Sequence, residues 1–260
     1  MDPPLISIGT AFLNTARFLP AALDSLLMQD HTHWECLLWD DGSSDGSSEI
    51  AAAYAARDPR IRLLGDGRSH GVSVALSRAL GEARGQYIGV LDSDDTLEPD
   101  ALSAMLAFMQ QHPNLGMAYS QYTEIDEDDQ FIRLGDRFRI PYSPHRLLVD
   151  FMTHHFRLIR GDAFAAVGGI TAINTLPPDY DLCLRLSERF EVGHLAKPLY
   201  RYRIRRDSIS QGNRLSQVKD SFEAAKCALT RRKLDTQYTL ALGIRAKHVL
   251  RPKAKPDPAA

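Results

Sequence analysis

Two short apolar runs, each ending in a knot of acidic residues, constrain this chain more than any other feature. Residues 34–39 lead into Asp40-Asp41-Gly42-Ser43-Ser44-Asp45-Gly46-Ser47, and residues 87–91 lead into Asp92-Ser93-Asp94-Asp95. Apolar runs this short, bounded by turn residues, read as buried strands of an α/β sheet. In open sheets of that kind, ligands bind beyond the carboxyl ends of the strands. Carboxylates gathered there repel one another unless something positive lies between them. Hard divalent cations take oxygen ligands and share them with phosphates, so the pattern suits a metal–diphosphate.

The neighbouring sequence supplies the rest of such a sheet. Strands are expected at residues 5–12, 61–64 and 116–121, and helices at 18–29, Ser47–Arg57 and 72–83. Asp45 or a neighbouring serine suits the N-cap of the helix over Ser47–Arg57. Glu98-Pro99-Asp100 opens a further helix, since proline fits a first turn and carboxylates complement the dipole. This alternation predicts a doubly wound, mostly parallel sheet. The second half is less regular. It reads as a hairpin over 123–139, a strand at 158–160, a helical turn at 162–167, a helix at 179–190, strands at 191–195 and 199–204, and helices near 215–230 and 234–250. The Pro- and Ala-rich end reads as disordered from 252.

Composition narrows the class. A formal net charge of −2 across 260 residues gives no electrostatic case for nucleic acid. Cys36, Cys183 and Cys227 stand in no metal-ligand spacing and favour a reducing compartment. No signal-peptide pattern opens the sequence, and no stretch reaches the roughly 20 apolar residues of a membrane span. The expectation is a cytoplasmic protein, with a peripheral place at the inner face of the membrane as an alternative.

Several segments together resemble the family-2 inverting glycosyltransferases of the GT-A fold. They are Thr10-Ala11-Phe12-Leu13-Asn14, the 40–47 loop, Asp92-Ser93-Asp94-Asp95, Val167-Gly168-Gly169, and Asp179-Tyr180-Asp181-Leu182-Cys183-Leu184-Arg185-Leu186. The resemblance implies a Rossmann-like, mostly parallel central sheet flanked by helices, with a helical C-terminal appendage. It divides the chain into a catalytic domain at 1–211, a helical region at 212–251 and a tail at 252–260. It also implies transfer of a sugar from a nucleotide-diphosphate donor to a saccharide or lipid-linked saccharide acceptor, using Mn2+ or Mg2+. By position, Thr10, Phe12 and Asp41 would contact the nucleoside, with Asp41 reading a pyrimidine edge. Arg68, Asp92, Ser93 and Arg205 would join the donor site, Asp94 and Asp95 would hold the metal, and Asp179 would be the base.

Elementary chemistry agrees with those roles. Cleaving a sugar–phosphate bond leaves negative charge on the diphosphate, which a metal at Asp94 or Asp95 stabilises as a Lewis acid. An acceptor hydroxyl needs a carboxylate to take its proton. Inversion puts that base across the site from the metal, on a separate segment. Asp179 and Asp181 both qualify; two residues apart they face different sides of a helix, and Asp179 is favoured.

The chain departs from the family pattern in two places. Pro178 stands where many members have a glutamate. Arg205 occupies the place of a usual histidine, so Arg205 or Arg206 is expected to bind the leaving phosphate through its planar fork. Two rivals were weighed. A nucleotidyltransferase needs a glycine-rich phosphate loop after the first strand, which residues 10–18 lack. A nucleotide-sugar-binding protein with little or no transferase activity is the other.

Bland readings were set beside the sharp ones. The 40–47 loop could be only a turn with helix caps. Residues 124–129 read as a solvated hairpin tip. His154-His155 reads as packing or surface, with no nearby carboxylate to complete a metal site; a place for one of the two facing the acceptor pocket is the alternative. The basic C-terminal region, with Arg231, Arg232 and Lys226 among leucines, reads as helices packed on the catalytic domain or a second subunit. Contact with anionic lipid is the alternative.

Overall fold

The computed structural model describes residues 5–172, 177–205 and 214–243. The expected boundary near 211, the tail and Arg206 lie outside the described residues. The first half follows the expected alternation closely. Strands β1 (Ile6–Phe12), β2 (Trp34–Asp40), β3 (Ile61–Gly65) and β4 (Tyr87–Val90) alternate with helices α1 (Leu19–Leu27), α2 (Ser47–Arg57) and α3 (Val72–Gly81). All four strands are parallel, in the order β3-β2-β1-β4. Gly9 makes room for α3: a Cβ there would lie 2.6 Å from Leu80 Cδ2.

The sheet continues as β8 (Arg157–Arg160), β6 (Leu115–Ile125), β9 (Glu191–Arg203) and the two-residue β5 (Thr96–Leu97), with β7 (Phe131–Leu134) hairpinned onto β6. Here the pairing is mixed. β8 runs antiparallel to both β4 and β6, whereas β6 and β9 run parallel. The two late strands expected at 191–195 and 199–204 are one strand of 13 residues, kinked by register shifts against β6. Bulges of this kind let a single strand bend without ending.

Helices α4 (Ala101–Gln111), α5 (Gly161–Ala166), α6 (Pro178–Ser187) and α7 (Arg214–Arg231) complete the fold. Two apolar cores lie on the two faces of the sheet. Ile6, Ile8, Phe12 and Trp34 pack with α1 and α4 on one face, while Leu37, Met117 and Ile159 pack with α3, α6 and α7 on the other. At the end of α5, Gly168 and Gly169 take positive φ and donate to Ala165 and Phe164 carbonyls. Glycine suits this Schellman closure because it carries no Cβ.

The helix expected over 234–250 is corrected over 234–243; residues 244–250 lie outside the described residues. Lys233 adopts φ 56° and its N–H reaches Thr230 O, while Leu234 N–H reaches Leu229 O. These two bonds close α7. Residues 235–237 turn, 238–243 are irregular, and Leu234 and Leu240 pack into the core from non-helical chain. Among the described residues, no helix is long and apolar enough to cross a membrane.

Candidate active site

The carboxyl ends of β1, β2 and β4 form the floor of the site. In the 40–47 loop much of the chemistry is structural. Asp40 accepts from the Gly42 and Ser43 amides and from the Ser48 hydroxyl. Asp45 accepts from Ser47 and from the Ala16 amide, while Asn14 accepts from the Ser44 amide. These bonds stitch the loop after β1 to the loop after β2. Asp41 has a different task. It is 3% exposed and accepts from His70 N at 2.7 Å, Ser69 Oγ at 2.9 Å and Gly71 N at 3.0 Å. The loop that carries Arg68 is thereby pinned to the end of β2, and the Arg68 side chain is exposed. A carboxylate has about four acceptor positions, so room for one donor from a ligand remains. Thr10 and Phe12 are 0% and 2% exposed and offer no surface to a ligand. Their side chains sit in the core on the α1 face, because alternation along β1 points them there.

The 92–95 loop is the acidic centre. Among the described residues Asp92 receives no side-chain donor within hydrogen-bonding range; His155 Nε2 lies 3.8 Å from its Oδ2. Its carboxyl is pushed up to about 7, first by the low-dielectric surroundings, then by Asp94 and Asp179, against the pull of Arg157. Its side chain is 43% exposed. Asp95 is 1% exposed and accepts from Tyr200 Oη at 2.8 Å and Arg203 N at 2.7 Å. Burial and its acidic neighbours push its carboxyl well up as well. Ser93 is buried between them. Asp94 instead meets Arg205, whose Nη1 donates to Oδ2 at 2.9 Å and whose guanidinium lies 4.8 Å from the Phe18 ring centre.

The second half brings two residues that sequence reasoning did not assign. His155 stacks on Tyr200 with centroids 4.4 Å apart, and one of its ring nitrogens comes within 4.8 Å of ligand oxygens of both Asp92 and Asp95. The expectation that no carboxylate lies near the histidine pair is therefore overturned: cross-strand packing, invisible in the linear order, supplies two. Burial, His154 and Arg157 hold the His155 pKa well below its usual value, so its ring is neutral and able to ligate. Arg157, 6% exposed, donates to Thr153 O at 3.0 Å and lies 3.4 Å from Asp179 Oδ2. The charges of Asp179 and Asp92 both stabilise its charged form.

Asp179 stands in the first turn of α6, after Pro178, with its side chain one-third exposed. Asp181 turns the other way. It is 2% exposed and bonds Arg185 Nε at 2.8 Å and Thr171 Oγ1 at 3.0 Å, inside the protein. Asp41 thus stands beyond β2 and Asp92, Asp94 and Asp95 beyond β4, while Asp179 and Asp92 both act electrostatically on Arg157. The tip of the acidic hairpin is solvated at Asp128 and Asp129, as expected, and is tied down by Arg17, which pairs with Glu127 and Asp128, and by Arg203, which pairs with Asp129 at 2.6 Å; Glu124, back in β6, is buried.

Two carboxylates and a neutral imidazole make a mixed oxygen–nitrogen donor set that suits a first-row divalent ion such as Mn2+. Asp95 lies directly before β5 and His155 in the bend before β8, and the three ligand atoms are close without bonding one another. The residues present fit a divalent cation.

Comparison with known proteins follows this geometry. Residues 7–173 match the model of glycosyl transferase family 2. The chain is 33% identical over 197 residues to chondroitin synthase of Escherichia coli, covering 76% of this chain and 28% of that protein. It is 30% identical over 228 residues to hyaluronan synthase of Pasteurella multocida, covering 88% and 23%. It therefore spans about a quarter of the length of these curated relatives. Among solved structures, TarS of S. aureus in complex with UDP-GlcNAc superposes with a TM-score of 0.64 at 18% identity, covering 80% of this chain and 60% of that one. The mannosyltransferase PcManGT of Pyrobaculum calidifontis, in complex with GDP-Man and Mn2+, gives 0.64 at 14% identity, covering 91% and 76%. The shared fold is GT-A.

Proposed function

The chain belongs to glycosyl transferase family 2, and from that premise we propose that it is an inverting, metal-assisted hexosyltransferase. The donor is a nucleotide-diphosphate sugar, best a UDP-sugar, and the acceptor a saccharide or lipid-linked saccharide in polysaccharide synthesis. The observation that carries this reading is that Asp92 and Asp179, two carboxylates from distant segments, both act electrostatically on one buried guanidinium, Arg157, which lies 3.4 Å from Asp179. The relatives named chondroitin and hyaluronan synthase, and the UDP-GlcNAc and GDP-Man complexes of the structural neighbours, support the donor class and the product class.

Each residue then has a task. Asp41 fixes the 69–71 loop and keeps one acceptor position for a nucleobase edge, and Arg68 stands on that loop for base or phosphate. Thr10, Phe12 and Ser93 shape the floor from below. Asp92, Asp95 and His155 would hold the cation, which when bound supplies Lewis-acid stabilisation of the diphosphate. Asp94, expected as a ligand, is the partner of Arg205, and the pair stores a phosphate-binding fork beside the site. Asp179 accepts the acceptor hydroxyl proton. Arg157 orients that carboxylate. Asp181 takes no part, because its oxygens are spent within the fold.

The catalytic domain in this reading ends near residue 211, and α7 serves as a packed appendage. Arg231 grips Glu188 at 2.9 Å, and Arg232 grips Ser187 Oγ at 2.8 Å, so two of the basic residues face the protein and favour packing over lipid contact. The test is hydrolysis and transfer with a panel of nucleotide-sugars, with and without Mn2+. One donor should be turned over and stabilise the protein thermally. Thermal stabilisation without turnover, equal in the wild type and in Asp179→Asn, would leave only a nucleotide-sugar-binding protein.

A further inference from the structure

The ground between β7 and β8 carries chemistry that the donor site does not use. Phe151 is half-buried, and its ring is flanked by two guanidiniums, Arg157 Cζ at 5.8 Å and Arg137 Cζ at 5.9 Å from the centroid. The same ring packs on Tyr180 at 4.8 Å, the residue next to Asp179, and on His154 at 5.7 Å. His154 Nδ1 is buried and has no hydrogen-bond partner among the described residues, and Thr153 Oγ1 is in the same condition. Such orphaned atoms are costly unless a ligand or water meets them.

The two arginines differ in their commitments. Arg157 is buried and bound to Thr153 O and Asp179. Arg137 is exposed, and its neighbour Asp136 is already taken by Arg133 and Arg139. Among the described residues, the Arg137 guanidinium has no carboxylate partner. An exposed, planar, always-charged fork over an aromatic ring is built for a bidentate oxyanion. Ligand sites typically combine aromatic walls with a few placed polar groups, as here.

We propose that Phe151, Arg137 and His154 form an acceptor subsite for an anionic saccharide, one bearing a carboxylate or a phosphate. The pyranose lies along the Phe151 ring, its anionic group is held by Arg137, and a hydroxyl meets the His154 edge. The inference rests on the transferase reading, because Asp179 marks this side as the acceptor side. It adds the charge class of the acceptor, which the donor half does not specify.

Binding is measured by calorimetry or ligand-observed NMR in the presence of UDP and Mn2+. The probes are a glucuronate-containing tetrasaccharide, its carboxyl-reduced counterpart, and a tetrasaccharide bearing a phosphate. The wild type should prefer a charged probe to the reduced one by about tenfold or more, as a charge-assisted pair implies. Which charged probe wins identifies the anion. Arg137→Gln should abolish that preference while leaving the reduced probe's affinity in place, and Arg137→Lys should restore part of it. Equal wild-type affinity for charged and reduced probes overturns the proposal, as does a preference that survives in Arg137→Gln. Hydrolysis of the nucleotide-sugar by the wild type without any saccharide, run in parallel, tests the transferase reading separately. A protein that hydrolyses donor yet ignores the anion refutes only the subsite.

Discussion

The two halves of this sheet hold their functional groups by different means. In the β1–β4 half, backbone ends do the positioning: strands stop, loops are tied by caps, and Asp41 binds three donors of the 69–71 loop. In the β6–β9 half, groups reaching out from β8 and β9 do it: the Tyr200 hydroxyl and the Arg203 amide reach Asp95, and the Arg157 guanidinium reaches Asp179. The first arrangement is local in sequence and tolerant of change in distant segments. The second depends on register, so a slip in β8 or β9 would move the chemistry itself.

The largest expected effect tests whether chemistry resides in the second half at all. Asp179→Asn removes the proposed base while keeping shape, and transfer should fall by about 10²–10⁴-fold in kcat with donor affinity unchanged. Steady-state kinetics with a fixed donor measure this, and wild-type turnover in the variant would return the role to another group.

Next comes Asp41→Ala, which probes the first half. It leaves one hydroxyl and two amides of the 69–71 loop without their acceptor, at about 1–3 kcal/mol for each such group that stays buried. Both chemical-denaturation stability and nucleotide affinity should drop. Loss of affinity alone would mean the loop holds without Asp41.

The pH dependence is smaller and contrasts the halves directly. Because Asp92 titrates near 7 in the folded protein, the native state keeps a proton that the unfolded chain has already lost. The contribution of Asp92 to stability without added metal should therefore fall as pH rises from about 4 to about 7 and level off above, against the opposite contribution of the buried His154 and His155, whose lowered pKa values favour the native state as pH rises. The melting-temperature difference between the wild type and Asp92→Asn, followed across this window, isolates that slope. Mn2+ should offset it near neutrality, by binding the ionised form.

The smallest effect concerns the seam between the halves. Arg17→Ala releases Glu127 and Asp128, and exposed pairs of this sort contribute about 0–1 kcal/mol. Thermal melting should scarcely move; a loss of several degrees would show that the hairpin tip braces the loop after β1.

How far the sequence foretold this follows the same divide. Apolar runs that end in acid clusters announce β2 and β4, and the bounds Ser47–Arg57 of α2 were legible to the residue. Asp179 could be separated from Asp181 because helical spacing sends neighbours two apart to different faces. Arg157 and His155 were not legible. Nothing in Arg157-Leu158-Ile159-Arg160 tells which arginine turns inward until β8 is paired with both β4 and β6. The helix expected over 234–250 failed for a local reason, since leucine spacing looked helical while Lys233 took the left-handed conformation that closes α7.

The Tyr200 hydroxyl and the Arg203 amide each donate to a different oxygen of Asp95, fixing the carboxylate's orientation while leaving acceptor positions for a cation. Two positions roughly a hundred residues downstream thus act as the hinge pins of the acidic loop. A damaging change at either would surface as a donor defect, although neither lies within that loop. Genetic screens that map donor phenotypes onto the first half alone would overlook them.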